Sequence, residues 1–250
     1  MENESWYGTE THRIRIAEVD SNGSMSFHAL LNLMQEVAWN NSEQLGYSVY
    51  HLMEKGVTWV VNRMQFHIHR YPKHYEKVTV KSWPSGVDRL FTYRDYRVFD
   101  ESGEMIVSGT SAWIVLDIAK RKPAPVKGNF DLAFPADVER MTMDKSKIQL
   151  AQSEKTSHKT VGFTDTDTNQ HTTNARYIEW ALEHFYTQVQ RVEKPVYVDM
   201  QFKGESVIGD ELSIASQAVS TEEQLLSIQN QTRNNTTFLA FIKTKTTKDR

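Results

Sequence analysis

The chain has 250 residues, of which 39% are hydrophobic and 11% aromatic, as expected for a globular protein of one large or two small domains. Its formal net charge of -3 gives no sign of binding to nucleic acid or to an anionic membrane. The absence of cysteine excludes disulfides, a thiolate nucleophile and thiolate metal sites.

The N-terminal sequence is acidic and has neither the basic region nor the apolar region of a signal peptide. The longest apolar runs, such as residues 112–116, are much too short to span a bilayer. We therefore expect a cytoplasmic protein with no membrane or nucleic-acid partner.

The first half of the chain predicts a short strand, a polar loop, a long helix and four antiparallel strands. The strand covers residues 12–16, and the loop is Asp20-Ser21-Asn22-Gly23-Ser24. Apolar residues at helical spacing follow from Phe27, and Gly46 is expected to end the helix. Alternating polar and apolar residues then predict strands at 62–69, 76–83, 89–99 and 104–117.

The second half predicts the same order again. Residues 120–159, with three of the six prolines and much charge, are interpreted as a connection that lies across the surface. A strand at 160–163, the loop Asp167-Thr168-Asn169-Gln170-His171 and a second helix follow. Strands are then expected at 196–203, 211–219, 224–231 and 237–246.

The repeated order predicts an internal duplication. The loops are offset by 147 residues, since 167 minus 20 and 171 minus 24 both give 147. Met64-Gln65-Phe66 matches Met200-Gln201-Phe202 at an offset of 136. A long apolar helix beside an antiparallel sheet is buried when the sheet curls around it, so we expect an α+β fold. The expected boundaries are 1–125 for the first copy, 126–155 for the connection and 156–250 for the second copy.

The second loop contains the candidate chemistry. Asp167, Asn169 and His171 occupy alternate positions just before a helix, whose dipole stabilises negative charge. They can accept, donate and shuttle protons, which suits hydrolysis of an ester or a thioester. The simpler alternative is that the aspartate and the asparagine only shape a turn or cap the helix.

The first loop favours that simpler interpretation for its own residues. It keeps Asp20 and Asn22, but Ser24 stands where the second loop has histidine. At the offset of 136, His69 is expected at the position of Glu205. We therefore expect one active site, in the second copy.

No metal or other cofactor is expected. Asp165, Asp167 and Asn169 are spaced like the start of a calcium loop, but Gln170 replaces the required glycine. His67 and His69 share a strand face, but no third zinc ligand is evident near them.

These residues give the chain a resemblance to the acyl-acyl carrier protein thioesterases, the bacterial relatives of the plant plastid enzymes. The resemblance extends from residue 9 to about residue 246. Three family patterns are matched: Asp-x-Asn-x-His by Asp167, Asn169 and His171; Asn-x-x-Tyr-Ile by Asn174, Tyr177 and Ile178; and Glu-Cys by Glu205 and Ser206. Serine in place of the family's cysteine argues against a nucleophile at Ser206.

The resemblance implies two tandem hotdog domains, each a long central helix wrapped by a curved antiparallel sheet. It also implies hydrolysis of fatty acyl-[acyl carrier protein] to free fatty acid, with Glu205 as the general base on water. Asn169 and the helix N-terminus would bind the oxyanion, and Asp167 and His171 would orient the reacting groups.

In this family the N-terminal hotdog lines the acyl tunnel, which implies that Leu30, Leu31 and Met34 bind substrate. The expected partner is the acyl carrier protein, and the chain is expected to be a monomer or a homodimer. Two alternatives stay open: an acyl-CoA thioesterase that uses the same residues, and a non-catalytic acyl-binding hotdog protein.

Overall fold

The computed structural model describes residues 6–127, 133–135, 137–153, 155–189 and 193–245. The chain separates into two compact units, Met1–Asp144 and Lys145–Arg250. The expected connection, residues 126–155, is therefore divided between the two units. Among the described helices, none is both long enough and apolar enough to cross a membrane.

The first unit pairs one long helix with an antiparallel sheet of five long strands and one short strand. Its elements are β1 (Gly8–Arg13), α1 (Phe27–Gln44), α2 (Val49–Met53), β2 (Val57–Ile68), β3 (Lys77–Val87), β4 (Phe91–Phe99), β5 (Met105–Asp117) and the short β6 (Lys122–Pro123). The strand order is β1-β3-β4-β5-β2, with β6 paired to β5. Helix α1 packs against β1 and β3, so the sheet buries its apolar face.

The second unit repeats this topology. Its elements are β7 (Thr156–Thr160), α3 (Asn174–Val189), β8 (Pro195–Phe202), β9 (Glu211–Ala218), β10 (Glu223–Asn230) and β11 (Asn235–Thr244). The strand order is β7-β9-β10-β11-β8, and α3 packs against β9 and β10. The predicted order of strand, loop, helix and four strands is confirmed in both copies, as is the α+β class.

Local sequence signals set the ends and the buried face of α1. Ser26 caps its start, because the Ser26 hydroxyl accepts the N–H of Ala29 at 3.2 Å. Gly46 lies just beyond its end with φ +74°, a conformation that glycine adopts without steric cost. The side chains of Leu30, Leu31 and Met34 are completely buried, and each stabilises the fold by about 1.5–3 kcal/mol.

The strands that precede the two loops end earlier than predicted, at Arg13 and Thr160. In both units a short 3-10 turn follows, and an acidic side chain closes it. Glu18 accepts the backbone N–H of Arg15 at 2.7 Å, and Asp165 accepts that of Gly162 at 2.8 Å. The strands exist, but their predicted bounds of 12–16 and 160–163 were wrong, because these local hydrogen bonds turn the chain where the strand was expected to continue.

The predicted offset of 136 between the strands β2 and β8 is also wrong. After each strand, two successive N–H groups donate to one carbonyl: His69 and Arg70 to Ile106, and Lys203 and Gly204 to Thr237. Since 203 minus 69 gives 134, the structural offset is 134 residues. Side chains alternate with a period of two, so a shift of two residues leaves every side chain on the expected face. The sequence pattern alone could not reveal the error.

The corrected offset changes the counterpart of Glu205. Subtracting 134 from 205 gives Tyr71, so Tyr71 and not His69 occupies the equivalent position in the first unit. His69 is an exposed side chain on the strand end that corresponds to Lys203. The first unit therefore has neither the histidine nor the carboxylate of the candidate site.

Residues 139–144 of the expected connection are fixed to the sheet of the first unit. Asp95 accepts the N–H of Met141 at 2.5 Å, and the side chain of Gln65 exchanges two hydrogen bonds with the backbone of Asp144, at 2.7 and 2.9 Å. Burial raises the pKa of the Asp95 carboxyl. This part of the connection therefore lies across the surface of the sheet, as expected.

The second unit encloses an ionisable side chain on α3. His184 is 2% exposed, and its Nδ1 shares a hydrogen bond of 2.7 Å with the Ser157 hydroxyl. Its Nε2 has no hydrogen-bond partner among the described residues. Burial lowers the pKa of His184. At the offset of 147, its counterpart in the first unit is Val37, which is also buried.

Acid is therefore expected to destabilise the protein through His184. Because its folded pKa lies below the unfolded value, neutral His184 contributes stability above about pH 6.5 that is lost as the pH falls through the folded pKa. Between about pH 7 and pH 5, the wild type should lose more free energy of unfolding than His184→Val, as measured by urea denaturation. Ser157→Ala, which keeps the histidine, should retain the acid loss. Equal acid losses in the wild type and His184→Val would contradict this assignment.

Candidate active site

The loop of residues 167–171 is closed by hydrogen bonds of Asp167. The N–H of Asp167 donates to the carbonyl of His171 at 2.9 Å, and the carbonyl of Asp167 accepts the N–H of Gln170 at 3.0 Å. Its carboxylate accepts the N–H of Asn169 at 2.8 Å and that of His171 at 3.3 Å. Asp167 therefore shapes the turn that presents Asn169 and His171.

The first-unit loop has three of these four internal bonds. The N–H of Asp20 donates to the carbonyl of Ser24 at 3.0 Å, that of Gly23 to the carbonyl of Asp20 at 2.9 Å, and that of Asn22 to the Asp20 carboxylate at 2.9 Å. Gly23 and Gln170 both have positive φ, at +68° and +64°. Each bond matches at the offset of 147, which supports duplication and shows that turn formation is common to both loops.

The structure brings His171 and Glu205 together. His171 Nε2 lies 2.5 Å from Glu205 Oε2, although the two residues are 34 positions apart, since 205 minus 171 gives 34. An ionised carboxylate can only accept hydrogen bonds, so Nε2 is the protonated nitrogen of the ring. The two side chains are 38% and 39% exposed. A carboxylate in this setting can accept a proton from water while the imidazole holds its other oxygen.

Most backbone donors at the end of the loop and before α3 are already engaged. The N–H groups of residues 169–173 all donate within the protein, to acceptors on Asp167, Ser206 and Asp165. These five groups are therefore not available to an oxyanion in this conformation. The side chain of Asn169 is exposed, and its amide makes no hydrogen bond to other described residues. The exposed Asn169 amide is thus one of the loop donors, with those of Thr168 and the Gln170 side chain, that remain for an oxyanion.

Ser206 lies beside Glu205 but is fully buried. Its hydroxyl is 2.7 Å from the hydroxyl of Thr172 and 2.8 Å from that of Tyr177. Neither partner is a base of the kind that activates a serine nucleophile. Burial raises the pKa of the Tyr177 phenol, and the negative charge of Glu205 acts in the same direction. The geometry agrees with the expectation that Ser206 is not a nucleophile.

The residues spaced like a calcium loop, Asp165, Asp167 and Asn169, make contacts within the protein. Asp165, the first of them, is buried, and its carboxylate lies 3.3 Å from Lys159 Nζ and 3.6 Å from Arg176 Nε. Among the described residues, no group of three or more histidine, cysteine, aspartate or glutamate side chains is placed to hold a metal ion. Asp165 instead fixes the base of the loop through charge pairing.

The duplicated helix-on-sheet unit and the loop facing Glu205 define a tandem hotdog protein. The acyl-ACP thioesterase N-terminal domain profile matches residues 7–132, and the acyl-ACP thioesterase C-terminal domain profile matches residues 148–247. The chain belongs to the acyl-ACP thioesterase family.

Relatives and solved structures agree with this membership. The palmitoyl-acyl carrier protein thioesterase of Gossypium hirsutum is 29% identical over 190 residues, which are 70% of this chain and 46% of the relative. The chain spans about half the length of the curated relatives it matches.

An acyl-ACP thioesterase from Bacteroides thetaiotaomicron superposes with a TM-score of 0.84 at 27% identity, covering 98% of this chain and 100% of that chain. The 12:0-ACP thioesterase from Umbellularia californica has the same fold, with a TM-score of 0.79 at 20% identity and coverage of 96% and 97%. The expected hotdog fold is confirmed.

Proposed function

We propose that this protein hydrolyses the thioester of fatty acyl-[acyl carrier protein] and releases the free fatty acid. The observation that supports this most directly is the 2.5 Å contact between His171 and Glu205, next to a loop that exposes the Asn169 amide. Together these groups supply a base and an oxyanion donor, the two requirements of thioester hydrolysis by water. Membership in the family indicates the substrate class.

The reaction begins when the Glu205 carboxylate takes a proton from water and the water oxygen attacks the thioester carbonyl carbon. The Asn169 amide donates a hydrogen bond to the oxyanion that forms. The carbon–sulfur bond then breaks, and protonated Glu205 returns its proton to the departing sulfur. His171 holds the carboxylate throughout by its Nε2–H bond, and Asp167 fixes the loop that presents both His171 and Asn169.

The exposure of the His171–Glu205 pair suits a thioester delivered on a bulky carrier. The direct test is a panel of acyl carrier protein thioesters of varied chain length, with release of free thiol measured against the same acyl groups on coenzyme A. We expect a higher kcat/KM for the carrier protein. A higher value for coenzyme A would favour an acyl-CoA thioesterase. Absence of thiol release from every substrate would favour an acyl-binding protein.

We also propose that Leu30, Leu31 and Met34 contact the acyl chain. All three are completely buried on α1. The second-unit counterparts of Leu30 and Met34 at the offset of 147 are Tyr177 and Ala181, so the first helix presents the more flexible apolar surface. Methionine adapts readily to apolar partners of different shape, which suits a site for fatty chains.

The variant Met34→Trp is expected to shift the chain-length optimum downward while thiol release continues. Each methylene contact that is lost corresponds to about 0.8 kcal/mol, a preference of about fourfold. The comparison is Met200→Trp, which overpacks a fully buried methionine in the second unit and should leave the profile unchanged. Chain-length profiles and melting temperatures are measured for both variants. A destabilised Met34→Trp with an unchanged profile would show that Met34 is ordinary core.

A further inference from the structure

The residues that follow His171 and Glu205 in the chain are linked by hydrogen bonds among three buried hydroxyl groups. Thr172 follows His171, Ser206 follows Glu205, and their hydroxyl oxygens are 2.7 Å apart. The hydroxyl of Tyr177, on α3, lies 2.8 Å from that of Ser206. All three residues are at most 5% exposed. His171 and Glu205 are therefore each the chain neighbour of a residue in one buried hydrogen-bond network.

Each of the three hydroxyls has one proton to donate, so the donor and the acceptor of each hydrogen bond can be assigned. Thr172 donates to the carbonyl of Ser206 at 3.2 Å, which leaves its oxygen to accept the proton of the Ser206 hydroxyl. Ser206 in turn accepts from the phenol of Tyr177. The N–H of Thr172 also donates to the Ser206 carbonyl, at 2.9 Å. The network therefore fixes both the backbone and the side chain of Ser206.

The first unit shows that the fold does not need these hydroxyls. The equivalent backbone bond is present, from the N–H of Met25 to the carbonyl of Pro72 at 2.8 Å. At the offsets of 147 and 134, Thr172 corresponds to Met25, Tyr177 to Leu30 and Ser206 to Pro72. All three first-unit residues are apolar and buried. The first unit, which lacks the catalytic residues, thus forms the same backbone hydrogen bond with apolar side chains packed around it.

The exposed pair needs such support. A solvent-exposed ion pair contributes little stability, because water screens the charges and two flexible side chains must be ordered. A buried hydrogen bond is made in a packed environment where its partners have fixed positions, and leaving one of its groups unpaired is costly. The hydroxyl network is therefore better able than the ion pair itself to fix where Glu205 lies relative to His171.

We propose that Thr172, Ser206 and Tyr177 form a hydroxyl clasp that positions Glu205 against His171. These three are positioning residues, which act through Glu205 and do not touch the substrate. The effect on turnover rests on the proposed function, whereas the effect on the His171–Glu205 contact does not. The clasp also gives Ser206 a part in the site that requires no nucleophilic attack.

The first test removes single hydroxyls. Tyr177→Phe and Ser206→Ala should each lower kcat about tenfold, because a small displacement of a catalytic group is costly, while KM stays within about twofold. The matched control is Tyr96→Phe, since the buried phenol of Tyr96 in the first unit also bonds a serine hydroxyl, that of Ser111, at 3.2 Å. Tyr96→Phe should leave kcat unchanged. Equal kcat losses in Tyr177→Phe and Tyr96→Phe would overturn the proposal.

The second test separates positioning from general destabilisation. In a Glu205→Gln background, Tyr177→Phe should cause no further loss, because the group that it positions is already inactive. Ser206→Cys should recover at least about half of the wild-type kcat, since a thiol can donate a weak hydrogen bond from the same place. A full additional loss in the Glu205→Gln background would show that Tyr177 acts independently of Glu205 and would overturn the clasp.

The third test needs no turnover. The Nε2 proton of His171 is followed by proton NMR, with His171→Gln used to assign its signal. The wild type should protect this proton from exchange with water, and Tyr177→Phe and Ser206→Ala should weaken that protection at least about fivefold. If the wild type released no thiol from any substrate, the proposed function would fail. The exchange measurement would still test whether the clasp positions Glu205 against His171. Unchanged protection in both variants would overturn it.

Discussion

Replacing Glu205 with glutamine is expected to lower kcat by about 10²–10⁴-fold, the usual contribution of a general base. The amide has nearly the same shape as the carboxylate, so packing near Ser206 should be retained. It cannot accept the proton of the attacking water, and its contact with His171 Nε2 loses the charge of the acceptor. The measurement is thiol release from acyl carrier protein thioesters under single-turnover conditions, which reports the chemical step.

The matched control for this substitution is Glu211→Gln. Glu211 is an exposed carboxylate of the same unit that accepts a hydrogen bond from the Thr160 hydroxyl at 2.8 Å. It lies at the start of β9, which pairs with β7, and should tolerate the change with nearly full turnover. If Glu205→Gln retained more than about a tenth of wild-type kcat, Glu205 would not be the general base.

Sequence periodicity identified the repeated elements because helices and strands place their buried side chains at fixed spacings. It could not locate the ends of β1 and β7, which are set by single hydrogen bonds from the backbone to Glu18 and Asp165. It also missed the two-residue shift between β2 and β8, because a period of two is unchanged by that shift. Local patterns thus predict the type of an element better than its register against a distant repeat.

The candidate site was predictable to a similar degree. The types and spacing of Asp167, Asn169 and His171 indicated the chemistry, but Glu205 came only from the family resemblance, since sequence spacing does not show which distant residues meet. Thr172 was not singled out at all. A threonine before a helix suggests a cap, and a buried hydroxyl can be recognised only when its partners are known. The apolar Met25 at the equivalent position was the one available signal.

The resemblance implied that the helix N-terminus helps to bind the oxyanion. Sequence could not show that the N–H groups of residues 169–173, which lead into the helix, already have acceptors. Hydrogen bonds between a backbone donor and a distant carbonyl, such as that of Ser206, depend on tertiary structure. This finding gives the side chain of Asn169 a larger part in the proposed mechanism than the sequence suggested.

Asn169→Ala is accordingly expected to lower kcat by about 10²–10³-fold, or about 2.7–4 kcal/mol, as for loss of one oxyanion donor. The turn should persist, because the Asp167 carboxylate binds the backbone N–H of residue 169, which alanine retains. The comparison is Asn22→Ala in the first loop, where Asp20 binds the equivalent N–H at 2.9 Å. Thiol release and melting temperature are measured for both variants. Melting temperatures should change equally and little, while only Asn169→Ala should lose turnover; equal losses of turnover would contradict a single oxyanion site at Asn169.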